Sequence, residues 1–258
     1  MEGNYKFQHF TDEEKDILHK HFKGDSAYAN RSPFLDLVAW KNVDLQEAEE
    51  IFKKFDALPS PRTIKTHFPL QMLPPKLLDT CKVIFVNRNV KDACVSWYHH
   101  IRLFKRCHFE SRFDDYAKEV YRSGLCYNGG GPAYFAMLKS QYSNIGHPNM
   151  LILWYENMKK DQRGMIVEIK NHIKYDISEK QIDQLTEFMK FENYQKTSSL
   201  NKDKEDWNKG GQFIRKGIVG DWRNHFKDET AKDWDSWMAD EFRKTGIADK
   251  KILDLVKI

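Results

Sequence analysis

Cysteine is scarce in this sequence and unpaired. Cys81, Cys94, Cys107 and Cys126 form no C-x-x-C pair, and no histidine stands at a zinc-ligand spacing from them. This excludes a zinc module and, in a chain of 258 residues, a disulfide framework, so reduced thiols and no metal are expected. No stretch approaches the roughly 18 apolar residues of a membrane span. Residues 1–10 are polar where a secretory signal would be apolar, so the expectation is a cytoplasmic protein with no membrane partner. Charge of one sign is also lacking. Lys and Arg total 42 against 38 Asp and Glu, interspersed along the chain for a net charge of +4. A nucleic-acid binder concentrates its cations on one stripe, so nucleic acid is not an expected partner, whereas a small anion is compatible. There are no internal repeats and no low-complexity tracts.

What is present is enough apolar material for a substantial core: 40% hydrophobic residues, with 17 Phe, 11 Tyr and 7 Trp. Length alone allows one large α/β domain or two small ones. Arg62–Thr66 (RTIKT) reads as a short strand closed by the segment from Pro69 to Pro75. Val83–Val86 (VIFV) is a continuous apolar run, the pattern of a strand buried on both faces. Val90, Ala93, Cys94, Trp97, Ile101 and Phe104 then recur at helical spacing. Met150–Trp154 (MLILW) is a second buried strand, followed by a helical pattern from Glu156 to about Ile173. Ile177–Lys190 and Glu229–Lys244 also read as helices, and Asn201–Gln212 as a polar, glycine-bearing loop. Strands alternating with helices predict an α/β fold with a parallel, doubly wound sheet flanked by helices. Ligands in such sheets bind beyond the carboxyl ends of the strands, which gives His67, Arg88 and Tyr155 a common address.

Two stretches carry chemistry. Arg88 stands where a strand hands over to a helix, with Ser96 about two turns into that helix; the pair suits an anion at a helix amino terminus. Equally, Arg88 could pair with Asp92 and Ser96 could bond its own helix backbone. Ile214–Trp222 (IRKGIVGDW) sets Arg215 and Lys216 before a glycine, which fits either an exposed basic turn or a clamp on phosphate. His99 and His100 read as packing or surface residues. Tyr127–Pro132 (YNGGGP) reads as a turn before a helix, because no G-K-[ST] follows it and no strand precedes it.

Taken together, KTHFP at Lys65–Pro69, the R-x7-S pair Arg88–Ser96 and RKGIVGDW at Arg215–Trp222 resemble the cytosolic sulfotransferases. RSPFLDL (Arg31–Leu37) and HPNMLILWYENM (His147–Met158) extend the resemblance, which runs from about Arg31 to the end of the chain and is closest to insect members. That family moves a sulfuryl group from 3′-phosphoadenosine 5′-phosphosulfate (PAPS) to a small hydroxyl-bearing acceptor. The resemblance implies that His67 is the general base and that Lys65, two residues earlier on an extended segment, stabilises charge on the transferring group. It implies that Arg88, Ser96, Arg215, Lys216 and the Gly217 backbone hold the 3′-phosphate of PAPS. Tyr155, Phe191, Phe213 and Ile214 would complete the nucleotide site, Phe191 as the ring stacked on adenine. Read without the family, Phe191 would be a core residue.

The sequence departs from the family in two places. Members carry, near the amino terminus, a strand and a YPKSGT[TN]W-like loop that cradles the 5′-phosphosulfate. No such segment and no G-x4-G-K-[ST] occurs here, and residues up to about Gly24 pass almost directly to RSPFL. The expectation is a single sulfotransferase domain over residues 1–258, with 1–30 shortened and divergent and 31–258 matching, the first strand and phosphate loop missing. The family's dimer signature K-x3-TV-x3-E is also altered: Arg223–Asp233 reads RNHFKDETAKD, so a homodimer formed by that route is put in question. The function expected is sulfuryl transfer to a small apolar phenol, steroid or alcohol. The alternative is a shortened isoform or relic that keeps a 3′-phosphonucleotide half-site or acts as an interaction protein.

Overall fold

The computed structural model describes residues 63–105, 110–125, 130–197 and 212–247, with isolated positions at 49, 53, 56–57, 61 and 208. The divergent first thirty residues, the RSPFLDL segment and nearly all of Asn201–Gln212 lie outside the described residues. Two strands are described, β1 (Val83–Asn87) and β2 (Met150–Trp154), hydrogen-bonded neighbours in one sheet. Between and after them come α1 (Val90–Leu103), α2 (Gly130–Tyr142), α3 (Tyr155–Lys160), α4 (Gln162–Ile173), α5 (Glu179–Phe188), α6 (Phe191–Thr197) and α7 (Asp228–Thr245). This is the α/β alternation that the hydrophobic pattern predicts, with a parallel sheet.

The chain divides into two compact units, residues 1–84 with 140–151, and residues 85–139 with 152–258. In the first, Leu73, Leu77 and Leu78 are buried. The Asn149 side-chain amide donates to the Leu78 carbonyl at 2.8 Å, and the Lys82 ammonium to the Pro148 carbonyl at 3.0 Å. Of the strand expected at Arg62–Thr66, Arg62 lies outside the described residues and residues 63–66 form no continuous strand. Lys65 makes a single bridge, and the residues on either side of it have no ladder. Thr66 instead spends its hydroxyl on a local turn, accepting from the Phe68 N–H at 3.0 Å.

The second unit is held by aromatic packing around α1 and α7. Thr230, Trp234, Met238 and Phe242 form the buried stripe of α7 at a spacing of four residues. Trp234 lies 4.9 Å from Phe226 and 6.0 Å from Tyr121 between ring centroids, and Phe242 meets Phe135 of α2 at 5.1 Å. Of the YNGGGP run, Gly130 to Pro132 form the first turn of α2, and Tyr127 to Gly129 lie outside the described residues. A side chain at Gly131 would come within 2.4 Å of the Trp237 ring, so the glycine serves close packing. On α1 the buried residues are Val90, Cys94, Val95, Tyr98 and Leu103, a stripe turned toward Val95 and Tyr98 rather than Trp97 and Ile101. Lys91 is buried with them: its ammonium meets Asp235 of α7 at 2.6 Å and sits 4.1 Å from the Trp222 ring.

Other sequence expectations shift in detail. VIFV is not covered on both faces: Val86 is 59% exposed, and among the described residues the sheet has two strands. The helix expected from Glu156 to Ile173 is two helices. Asp161 leaves helical geometry and caps α4 by accepting the Gly164 N–H at 2.8 Å, which ends α3. Ser178 and Gln181 form a capping box at the start of α5.

Candidate functional site

The site is built where β1 and β2 end. The chain leaves β1 at Asn87 and turns through Arg88 and Asn89 into α1. The Asn89 side chain caps α1 by accepting from the N–H groups of Lys91 and Asp92, as a short amide at the N-cap should. Its own N–H donates to Glu156 Oε1 at 2.9 Å, joining the start of α1 to the start of α3. Burial raises the pKa of Glu156, and the Asn89 hydrogen bond opposes that rise.

Arg88 is thereby fixed at the mouth of α1. Its guanidinium lies 4.5 Å over the Tyr155 ring, and one nitrogen donates to the Ile218 carbonyl at 3.1 Å. Asp92 is 3.7 Å away, so the local ion pair considered from the sequence does form. It does not satisfy the whole group, since Arg88 Nε is buried with no hydrogen-bond partner.

Asp92 has a second role that the sequence did not reveal. Its buried carboxylate accepts the Gly220 N–H at 2.7 Å and the Trp222 N–H at 2.9 Å, clasping the RKGIVGDW segment to α1. Gln195 of α6 holds the same segment from the other side, donating to the carbonyls of Ile214 and Arg215 at 2.8 and 3.0 Å. Gly217 has φ +64°, and a Cβ there would stand 2.1 Å from the Phe191 ring. Only glycine allows this close approach together with left-handed backbone. Phe191 is therefore packed against the segment, with Lys159 5.4 Å over its ring.

The cations of the segment converge on one carboxylate. Asp221, 1% exposed, accepts from Arg215 at 2.5 Å, from Lys216 at 3.0 Å and from Asn224 at 3.0 Å, with His225 at 3.4 Å. Burial alone would raise its pKa, but the hydrogen bonds from Arg215, Asn224 and Lys216 outweigh this and hold it far below the ordinary aspartate range. Asp221 was missed in the sequence reading. Its signal was a lone acid between Gly220 and Trp222, five residues from Lys216 and six from Arg215.

His99 of α1 packs behind this cluster, its ring 5.2 Å from that of His225, with its Nε2 buried and unpartnered. Burial, and then the charge of Arg215, lower its pKa to about 4, and burial lowers that of His225 too. In the unfolded chain His99 would bind a proton near pH 6.5, which the folded protein resists until about pH 4. Stability should therefore fall as pH drops through that window. Thermal unfolding at pH 7 and pH 5 should show the loss, and His99→Gln should make it smaller; an equal loss in the variant would contradict the assignment.

Arg88, Ser96, Tyr155, Phe191, Phe213, Ile214, Arg215, Lys216 and Gly217 all line one cavity of about 620 Å³, together with Lys159 and Asp221. Every residue expected at the nucleotide is thus brought to one place. His67 and Lys65 belong to the other compact unit, where both are exposed. Among the described residues, no group of three or more His, Cys, Asp or Glu could hold a metal ion, and no helix is long and apolar enough to cross a membrane.

The family model of the sulfotransferase domain matches residues 6–246. The chain belongs to the sulfotransferase family. It is 30% identical over 202 residues to sulfotransferase 1E1 of Homo sapiens, covering 76% of this chain and 65% of the relative. Sulfotransferase 1C2 of Oryctolagus cuniculus is 29% identical over the same length, with the same shares. A crystal structure of retinol dehydratase in complex with androsterone and the inactive cofactor PAP superimposes with a TM-score of 0.70 at 32% identity, covering 84% of this chain and 64% of that one. The chain spans about 65% of the length of these curated relatives.

Proposed function

We propose that this sulfotransferase-family chain binds a 3′-phosphoadenosine nucleotide in the cavity of the second unit, with PAPS as its co-substrate. The observation that carries the reading is the convergence of Arg88, Arg215 and Lys216 on one cavity that also holds Phe191 and Tyr155. The residues suit the group. Arg88 Nε is buried without a partner, Arg215 and Lys216 converge on the one carboxylate of Asp221, and the Gly217 backbone is kept free of a Cβ. In the retinol dehydratase structures the ligands named are PAP with androsterone and PAP with retinol, which supports a nucleotide beside a small apolar acceptor.

The reaction proposed is transfer of the sulfuryl group to the hydroxyl of such an acceptor. The hydroxyl oxygen bonds to sulfur as the bridging bond to the 5′-phosphate breaks, and adenosine 3′,5′-bisphosphate (PAP) leaves. His67 takes the hydroxyl proton, and Lys65 stabilises charge on the group in transit. The alternative, a half-site that binds without turnover, is favoured by one specific observation: the sequence contains no YPKSGTTW-like segment to neutralise the leaving 5′-phosphate.

Arg88→Ala tests the binding claim. Loss of a charge-assisted hydrogen bond costs about 1.5–3 kcal/mol, so PAP should bind roughly tenfold to a hundredfold more weakly while AMP changes little. Equal weakening of both nucleotides by calorimetry would remove Arg88 from the 3′-phosphate.

A further inference from the structure

The cavity is larger and more apolar than its phosphate end requires. Arg88, Arg215 and Lys216 occupy the part built from the start of α1 and the RKGIVGDW segment. The lining then continues along α4 and α5 through Met165, Ile169, Ile173, Ile177, Leu185 and Met189. From Met165 to Ile173 α4 advances about 12 Å, so the apolar lining extends well beyond the cations. The one charged residue lining the α4 half of that region, Lys170, lies 3.8 Å from Asp176. Leu185 and Met189, each 40% exposed, have their side chains open to the same space. A cavity of about 620 Å³ with cations at one end and branched and thioether side chains along the other is bipolar.

We propose that this cavity is also a binding site for an anionic amphiphile, a phosphate monoester carrying a single apolar chain. Its phosphate sits with Arg88, Arg215 and Lys216, and its chain lies along Met165, Ile169, Ile173, Ile177, Leu185 and Met189. The phosphate end rests on the reading above, that these three cations hold a phosphate; the apolar end is independent of it. Binding is mutually exclusive with the nucleotide, since both ligands use the same cations. The amphiphile is therefore a competitive occupant of the nucleotide site.

The test uses the full chain and monomeric alkyl phosphates below their micelle concentration. Each buried methylene contributes about 0.8 kcal/mol, so even three methylenes against α4 and α5 make decyl phosphate bind about fiftyfold more tightly than butyl phosphate. Leu185→Asp, at a position 40% exposed, should abolish that chain-length gain while PAP affinity, which also reports that the variant is folded, stays within twofold. PAP should displace decyl phosphate, and decyl maltoside, with a similar chain but no charge, should not compete. Vesicles of phosphatidylcholine containing phosphatidic acid should not retain the protein, because the cavity takes a whole monomer. Equal affinity for butyl and decyl phosphate, or a chain-length gain that survives Leu185→Asp, overturns the proposal even where PAP binds. Retention on the vesicles without monomer binding overturns it in favour of a surface contact. Decyl phosphate binding with no PAP binding would instead uphold the amphiphile and remove the nucleotide reading.

Discussion

Asp221→Ala should lower the stability of the protein by about 2 kcal/mol, read as a fall in Tm of roughly 4–8 °C for a chain of this size. Breaking a buried ion pair can cost more, about 3–5 kcal/mol, when the surviving charge stays buried. Here the survivors, Arg215 and Lys216, have 26% and 45% of their side chains exposed and can turn to water, so the smaller figure applies. The alanine also leaves Asn224 without its acceptor and removes the anion that faces His225. PAP should raise the Tm of this variant by more than it raises that of the unaltered protein, because the phosphate becomes the anion to which both cations turn. Asp221→Asn should fall between the two, keeping an acceptor but no charge. An unchanged Tm would show that the carboxylate does not organise the segment. A smaller PAP shift in the variant would show that phosphate does not take its place.

Sulfuryl transfer by the chain as it stands should be weak or undetectable even where PAP binds well. The proposed 3′-phosphate contacts would be made equally in the ground and transition states, so they would support affinity and not rate. Charge builds at the other end, on the 5′-phosphate, as the S–O bond breaks. Loss of one preorganised donor at a developing charge costs about 10²–10³ in rate, and the absent loop would supply several. Grafting a YPKSGTTW-type strand and loop between Gly24 and Arg31 should restore transfer to a phenol or alcohol, and His67→Ala in the grafted protein should abolish it again. Full activity without the graft would refute the need for the loop. A grafted protein that folds, binds PAP and transfers nothing across a broad acceptor panel would favour the half-site.

Part of the cavity lining was legible because its residues come in short, ordered strings. Arg88–Ser96 and Arg215–Gly217 are each local in sequence, so a motif placed them before any contact was known. The carboxylates that organise them were not legible. Asp92 acts on the N–H groups of Gly220 and Trp222 some 130 residues away, and such a contact leaves no trace in spacing. The pairing of Arg88 with Asp92 and the anion-site reading looked like alternatives, yet the geometry accommodates both, since one guanidinium edge meets Asp92 and Ile218 while Nε is left over. Helix existence was likewise clear from periodicity, whereas the break at Asp161 depended on one side chain choosing to cap α4. The strand expected at Arg62–Thr66 is, among the described residues, a single bridge at Lys65: β-branched residues favour extended backbone, but a ladder needs a partner along its length.

The most direct measurement is a pair of calorimetric titrations of the unaltered chain, one with PAP and one with AMP, at the same ionic strength. The two ligands differ only in the 3′-phosphate, which Arg88, Arg215 and Lys216 of the cavity are proposed to hold. The account requires PAP to bind at least tenfold more tightly, with the difference largely lost in Lys216→Ala. Equal affinities, or a preference that survives the loss of Lys216 undiminished, would contradict it.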